Sequence, residues 1–474
     1  MMKNYRKVAV LQGVIVSLLL FAGCEKWLNI APKGMLVPET VDEFDLMLNA
    51  NELCKSSFYE ALFLTDDAYI LAEDNENMLD IPTNLGSPTG RMYVYDADRY
   101  YTETDYNSYY NSAYKRIYTY NVIVENVLKA SGDAQKARSI RAEALCGRAM
   151  EYLLLINLFA PHYDAATASS SYGVPLILSQ DLETEGVTKE SVAEVYAQVE
   201  KDLHEALADL PSSPAHGTPL RFSKAASLAF LAKVAFLKGE WANALSWCQR
   251  VRDEMKGLPL HDWTKNQLVD PMSILSDYPD VVNSEENILL RFPDAAFGLS
   301  WCTYCPPALL NLFDQENDMR YVLQFSDNIY GSPLSSPDLR YYGSYIKFST
   351  GISTPEIYLM AAESEVRTGD VAGGIDLLNQ LRAHRIKDVT PLAAGTAEEA
   401  LRLVLEERRR ELYNHSVERL IDIKRLAKDP ATRVTVRHEL PSGETIEVDG
   451  NDSRMILPIP PQVLNFNPGM KPRG

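Results

Sequence analysis

The chain has 474 residues, of which 46% are hydrophobic and 23% are charged, a balance typical of a folded protein rather than a disordered one. Acidic residues outnumber basic ones by 65 to 46, so the formal net charge is −19 and the pI is near 4.9. Binding to nucleic acid through its phosphates needs a basic face, so this composition excludes nucleic acid as an expected partner.

The N-terminus has the pattern of a signal peptide that ends at a cysteine. A positively charged leader precedes the apolar residues 8–21, and the small residues Ala22 and Gly23 stand directly before Cys24. Crossing a bilayer takes about 20 residues, so residues 8–21 match a signal-peptide core rather than a transmembrane helix. The small residues before the cysteine resemble the lipobox of bacterial lipoproteins, which implies removal of residues 1–23 and lipidation of the Cys24 thiol. A simple secretory signal and an uncleaved anchor are the alternatives.

Beyond Cys24, the strong hydrophobic periodicity is helical. Leu145, Ala149 and Ile156, for example, share a helical stripe that Pro161 ends. A short pair of β-strands is predicted over 432–448, where apolar and polar residues alternate around a Pro-Ser-Gly turn. The periodicity predicts helices over about 104–130, 134–160, 190–209, 223–237, 240–253, 355–367, 371–385, 397–413 and 416–427.

Two of the predicted helix pairs share one sequence frame. Residues 227–251 and 356–382 both match a tetratricopeptide-like helix-turn-helix, with small residues at the helix contact and a turn glycine at Gly239 and Gly369. The two glycines lie 130 residues apart (369 minus 239). Because a regular 34-residue array is absent, the chain is not a plain repeat solenoid.

The sequence contains no catalytic motif that would indicate an enzyme. It has no GxSxG elbow, P-loop, HExxH or GxGxxG, and its seven histidines show no metal-ligand spacing. We therefore predict a non-catalytic protein without a cofactor or a metal site. The adjacent carboxylates Asp66-Asp67 and Glu285-Glu286 are expected in solvated turns or helix caps.

Two further motifs have a structural interpretation. In the charged run 406–411, the helical spacing of Glu406 with Arg410 and of Glu407 with Glu411 predicts a charged face together with a buried ion-pair network. Cys302 and Cys305 form a CxxC without a second pair, so a structural role or a local disulfide is favoured over a redox or metal site.

Seven stretches in order along the chain resemble the SusD/RagB family of Bacteroidota outer-membrane lipoproteins. They are CEKWLNIAPKG (24–34), RAEALCGRAMEYLLLINLFAP (141–161), YGVPLIL (172–178), KAASLAFLAKVAFLKGEWANAL (224–245), EIYLMAAESEVRTGD (356–370), LEERRRELYNHSVERLIDIKRL (405–426) and ILPIPPQVLNFNPGM (456–470).

The resemblance implies a mainly α fold, in which one domain over 24–474 combines four tetratricopeptide-like helix pairs with a loop-rich, ligand-facing half that has minor β structure. It implies a lipid-anchored protein on the cell surface, in the outer membrane. Such a protein captures oligosaccharide, or peptide in RagB-like relatives, and delivers it to a SusC-like TonB-dependent transporter. A tetratricopeptide-type envelope scaffold and an envelope hydrolase are the alternatives.

Two irregular segments, about 65–103 and 254–350, are rich in aromatic residues, Asp and Asn, and long irregular segments usually carry function. Sugars bind to aromatic faces, while carboxylates and amides take their hydroxyl groups. No family motif fixes the positions, so each candidate could instead serve packing. The candidate ligand-binding residues are Asp67, Asn75, Tyr93, Tyr95, Tyr101, Trp301 and Tyr304.

Substituting Cys24→Ser should release the chain from membranes, because the thiol is the predicted attachment point of the lipid. Detergent phase partitioning of cell fractions measures this, with Cys54→Ser as the matched control. Retention of the Cys24→Ser chain in the detergent phase, or an unmodified Cys24 in mass spectra of the native N-terminus, would contradict the lipidation prediction.

Overall fold

The computed structural model of the chain describes most residues that follow the N-terminal segment. The predicted signal peptide and Cys24 lie outside the described residues. The described ranges are 38–56, 59–70, 86–105, 108–181, 187–214, 217–270, 275–276, 281–292, 304–329, 332–333, 339–342, 351–413, 415, 417–440 and 443–470.

Helices dominate the described residues, which confirms the predicted mainly α class. Every helix that the periodicity predicts is present, with ends displaced by four residues or fewer. The helices are α1 (Val41–Leu48), α2 (Asn51–Cys54), α3 (Pro88–Tyr93), α4 (Ser108–Asn126), α5 (Ala134–Phe159), α6 (Val192–Ala206), α7 (Lys224–Leu237), α8 (Trp241–Met255), α9 (Pro307–Leu310), α10 (Met319–Gln324), α11 (Thr354–Thr368), α12 (Val371–Ala383), α13 (Ala397–Leu412), α14 (Glu418–Leu426) and α15 (Pro461–Phe466).

Short polar side chains fix where several helices begin. At the start of α6, Ser191 Oγ accepts a hydrogen bond from the Glu194 amide at 3.2 Å, and the Glu194 carboxylate accepts one from the Ser191 amide at 2.9 Å. Thr40 and Glu43 form the same reciprocal pair at the start of α1. These capping boxes satisfy amide groups that have no partner inside the helix.

The two helix pairs that share the tetratricopeptide-like frame are neighbours in the fold. α7 and α8 form one pair and α11 and α12 the other, and each turn contains a glycine with positive φ, 75° at Gly239 and 102° at Gly369. α8 packs directly on α11, although residues 256–353 lie between them in the sequence. Residues 256–353, here called the inserted segment, therefore lie between two successive helix pairs. This explains why the turn glycines of the two pairs are so far apart in the sequence.

The strands are short, and every strand pair among the described residues is antiparallel. The strands are β1 (Leu268–Asp270), β2 (Leu275–Ser276), β3 (Asn287–Leu289), β4 (Tyr304–Cys305), β5 (Phe325–Ser326), β6 (Asn328–Ile329), β7 (Ser332–Pro333), β8 (Arg340–Tyr342), β9 (Ile352–Ser353), β10 (Thr435–Glu439) and β11 (Thr445–Asp449). Within the inserted segment, β4, β8 and β5 form a three-stranded sheet in that order. β10 and β11 form a hairpin with Thr435 opposite Asp449, which confirms the strand pair predicted over 432–448.

The largest hydrophobic cluster joins the helices to the loops. It contains residues of α5 and α7 together with Tyr93 and Tyr95 of the first irregular segment and Val436 of the β10–β11 hairpin. α7 is buried on all sides after Lys224, as expected for a helix that is apolar all round. Across the residues that the structure describes, no helix combines the length and the apolar character needed to cross a membrane.

Replacing Gly374 with alanine should lower the free energy of unfolding by about 1–3 kcal/mol. An added Cβ would lie 2.5 Å from Val366 Cγ2 and 2.8 Å from the Ala362 carbonyl oxygen, so α11 and α12 could not keep their close approach. Urea unfolding measures the effect. Gly395→Ala is the control, because its Cβ would meet no neighbouring atom closer than 3.7 Å. Equal stability of wild type and Gly374→Ala would contradict the contact.

Candidate functional site

A network of buried ion pairs surrounds α13, where the sequence predicts one. The fully buried Glu407 carboxylate accepts hydrogen bonds from Arg320 at 2.7 Å, Arg410 at 2.8 Å and Arg382 at 3.1 Å. Burial alone would raise the pKa of Glu407, but the three guanidinium groups hold it well below its usual range. The predicted buried network over 406–411 is confirmed.

The pairing within α13 differs from the prediction. Glu406 accepts a hydrogen bond from Arg402 at 2.6 Å, on the partly exposed side of the helix. Arg410 is buried and donates to Glu407 instead, so the predicted pair between Glu406 and Arg410 is wrong. Helical spacing identified the charged side chains but not the side of the helix on which each finds its partner.

Arg320 and Arg385 extend the network into the inserted segment. Arg320 donates to Asp318 and to Glu411, both at 2.7 Å, and Arg385 donates to Glu411 and to Glu286, also both at 2.7 Å. Glu286 is 6% exposed, so the expectation of a solvated turn is wrong for this residue. The two arginines connect α13 to the start of β3 and to α10.

Asp66 and Asp67 attach the first irregular segment to the same network. Arg419 of α14 donates two hydrogen bonds to Asp66, each 2.7 Å long, and Arg409 of α13 donates to Asp67 at 2.5 Å. Burial would raise the pKa of Asp66, but the guanidinium groups of Arg409 and Arg419 hold it well below its usual range. The solvated turn expected for this carboxylate pair is wrong, because both side chains are turned towards the helices.

The two irregular segments contact each other next to Asp66 and Asp67. Tyr69 and Tyr304 exchange backbone hydrogen bonds of 3.2 and 2.9 Å, and the Tyr342 hydroxyl donates to the Asp67 carbonyl oxygen at 2.7 Å. Tyr304 lies in β4 and Tyr342 in β8, so the sheet of the inserted segment continues into the first irregular segment. The structure therefore brings together the two segments that the composition singled out.

Two half-buried tyrosines of this surface were not predicted. Tyr341 follows Arg340 in β8, and its ring lies 5.2 Å from the ring of Tyr304. Neighbouring residues of a strand point to opposite faces, so Tyr342 is buried while Tyr341 reaches the surface. Tyr69 is also half-buried. No strand was predicted at this position; the adjacent tyrosines Tyr341 and Tyr342 were the sequence signal, because strand alternation would have placed one ring inside and the other outside.

Most of the predicted ligand-binding residues pack inside the protein. Tyr93, Tyr95, Tyr101 and Tyr304 are 0–4% exposed, and Asp67 is 1% exposed. Their ring faces are covered by protein, so the described conformation does not offer these tyrosines for stacking on a sugar. Tyrosine has an apolar ring and a polar hydroxyl, so it suits both a binding surface and a buried position with a hydrogen-bond partner. Composition alone could not distinguish these two roles.

Of the remaining residues singled out in the sequence, four lie outside the described part of the chain and one lies inside it. Asn75, Trp301, Cys302 and Cys24 lie outside the described residues. Cys305 lies in β4 as a free, buried thiol, so the local disulfide alternative is not supported. Burial raises the pKa of this thiol, which favours the structural role.

A separate groove of about 520 Å³ lies beside the ion-pair network, between α13, α14 and the residues that lead to β10. Aliphatic side chains such as Leu401 and Leu405 line it, with guanidinium groups of Arg409, Arg419 and Arg433. Its volume suits a small ligand. Its lining contains no aromatic ring, so it lacks the platform on which sugars stack.

Two family models match the sequence. The model described as starch-binding, associating with the outer membrane, matches residues 36–236, and the SusD family model matches residues 354–472. Together they cover more than half of the 474 residues. This chain belongs to the SusD/RagB family. The two matches leave out 237–353, which contains the inserted segment, so the part that the family models do not match includes one of the two segments of the candidate surface.

Solved structures of SusD proteins have the same fold. A SusD superfamily protein from Bacteroides thetaiotaomicron is 20% identical, with a TM-score of 0.70 over 92% of this chain and 100% of that one. A SusD-like carbohydrate binding protein from Bacteroides vulgatus is 17% identical, with a TM-score of 0.63 over 91% and 97%. A laminarin binding SusD-like protein is 19% identical, with a TM-score of 0.64 over 92% and 99%. The comparison with curated proteins finds no match.

Substituting Asp66→Asn should lower the free energy of unfolding by about 3 kcal/mol, because it leaves the Arg419 guanidinium without its carboxylate partner. Chemical denaturation at neutral pH measures this. The matched control is Asp98→Asn, which changes an exposed carboxylate of the same irregular segment and should alter stability by less than about 0.5 kcal/mol. Similar small effects of both substitutions would show that the link between Asp66 and the helices contributes little.

Proposed function

We propose that this SusD/RagB family protein binds oligosaccharide at the cell surface and delivers it to a SusC-like TonB-dependent transporter, without catalysing a reaction. The observation that carries the proposal is the joining of the two irregular segments into one surface, above a base of buried ion pairs. The carbohydrate binding and laminarin binding proteins that share the fold support a glycan as the ligand class.

On the proposed surface, aromatic rings would supply the platform for the sugar. Tyr69 and Tyr341 are half-buried rings of this surface, and Arg340 stands beside Tyr341 in β8. Trp301 and Asn75 remain predicted ligand contacts from the same two segments. Aromatic faces take the C–H surface of a sugar, and amide or guanidinium groups take its hydroxyl groups. The buried tyrosines below would keep this platform in place.

The proposed lipid on Cys24 would keep the protein beside its transporter. Residues 25–37 separate Cys24 from the first described residue, and a fully extended tether of that length spans at most about 50 Å. A chain held this close to the membrane meets a membrane-embedded partner at high effective concentration. Capture and delivery then need no catalytic group.

Substituting Trp301→Ala should weaken binding of the recognised glycan about tenfold or more, roughly 1.4 kcal/mol, because it removes the largest predicted stacking ring. Affinity electrophoresis and calorimetry against starch, laminarin and other glycans measure this. Trp247→Ala is the matched control, because Trp247 is a half-buried tryptophan of α8, on the helical side of the molecule.

The panel also separates the alternatives. Binding to peptides but to no glycan would replace the proposal with the RagB-like peptide alternative. Turnover of a polysaccharide by the purified protein would support the envelope hydrolase. Unchanged glycan affinity in Trp301→Ala, with normal affinity in Trp247→Ala, would remove Trp301 from the site while leaving glycan binding intact.

A further inference from the structure

A buried histidine connects three segments below the candidate surface. His438 lies in β10, is 1% exposed and stands opposite Ile446 of β11. Its Nδ1 atom lies 2.8 Å from the carbonyl oxygen of Tyr93, and its Nε2 atom lies 2.8 Å from the carbonyl oxygen of Thr65. One imidazole ring thus contacts the end of α3 and the turn that carries Asp66.

The two carbonyl partners determine how many N–H groups the ring needs in order to bond both of them. A carbonyl oxygen only accepts hydrogen bonds, so each ring nitrogen must carry a hydrogen for both contacts to form. A neutral imidazole has one N–H group and can satisfy one carbonyl, with a lone pair facing the other. Both 2.8 Å contacts can therefore be hydrogen bonds at the same time only when the ring is an imidazolium.

Some features around His438 favour the positively charged, protonated ring, and others disfavour it. The ring stacks on Tyr93 at 4.1 Å between centroids and on Tyr95 at 5.2 Å, and an aromatic face stabilises a cation. Burial is the largest effect and holds the pKa of the imidazole below its usual value, while the two carbonyl contacts and the Asp66 carboxylate act to raise it.

Three charged residues lie near this site. Asp66 belongs to the turn after Thr65, and its charge is shared with Arg409 and Arg419. Glu439 follows His438 in β10, and its carbonyl oxygen accepts a hydrogen bond from the Tyr93 hydroxyl at 3.4 Å. The guanidinium of Arg454 lies over the Tyr95 ring, 5.7 Å from its centroid.

We propose that His438 is a pH-dependent latch of the ligand-facing half, which holds both Thr65 and Tyr93 when the ring is protonated and only one of them when it is neutral. Thr65 leads directly into the Asp66–Asp67 turn, and its Oγ1 accepts a hydrogen bond from the Asp67 amide at 3.2 Å. Loss of one contact loosens either this turn or the end of α3. The site on the surface above is then more rigid at mildly acidic pH than at alkaline pH.

Nitrogen-15 spectra of the histidine rings in the full mature chain test the protonation directly, with the signal assigned from its absence in His438→Gln. At pH about 5, both ring nitrogens of His438 should carry a proton, and at pH about 8 only one should. A single neutral tautomer throughout this range would overturn the proposal. Hydrogen exchange of the wild-type protein needs no variant, so the proposal stays testable even where His438→Gln folds poorly.

Amide hydrogen exchange over the same range, corrected for the intrinsic rate, tests the latch itself. Peptides from residues 59–70 or 88–99 should exchange at least about fivefold faster at pH 8 than at pH 5, and peptides from α7 should not change. His438→Gln keeps two N–H groups at all pH values and should abolish the difference, whereas His204→Gln, an exposed control, should keep it. Exchange that is independent of pH in the wild type would overturn the proposal.

Discussion

The buried ion pairs around α13 and α14 are the interaction on which the rest of the structure depends. Arg320, Arg385, Arg408, Arg409 and Arg419 each reach a carboxylate that lies on another element. A buried charge without its partner costs several kcal/mol, so every one of these elements must be in place for the others to be stable. We therefore expect the network to favour one arrangement of helices and loops, in addition to hydrophobic packing.

This arrangement explains how irregular segments can form a binding surface. Loops position ligand contacts well only when a rigid scaffold holds them. Here the turn at Asp66 is held by Arg419, the inserted segment is held by Arg385, and Tyr69 and Tyr304 join the two segments through their backbones. The tyrosines just below fill the space between the loops and the helices. The proposed glycan surface therefore has a preorganised base.

The helices could be predicted from the sequence because hydrophobic periodicity is local. The ion-pair network was predicted as a feature of 406–411, but its partners were not, since Asp66 and Arg419 are 353 residues apart in the sequence. The two segments of the surface were identified from composition, whereas the individual rings were not. Tyr304 is buried and Tyr341 is half-buried although the two are paired across β4 and β8, so their exposure depends on what the rest of the fold places over each ring.

The most direct test of the account is a hydrogen-exchange footprint of the chain with and without a glycan that it binds. The account predicts slower exchange in peptides from about 65–103 and 254–350, with no change in α6 and α8 on the helical side. Protection confined to the groove beside α13 and α14, or to the helical side, would contradict the assignment of the ligand to the joined irregular segments.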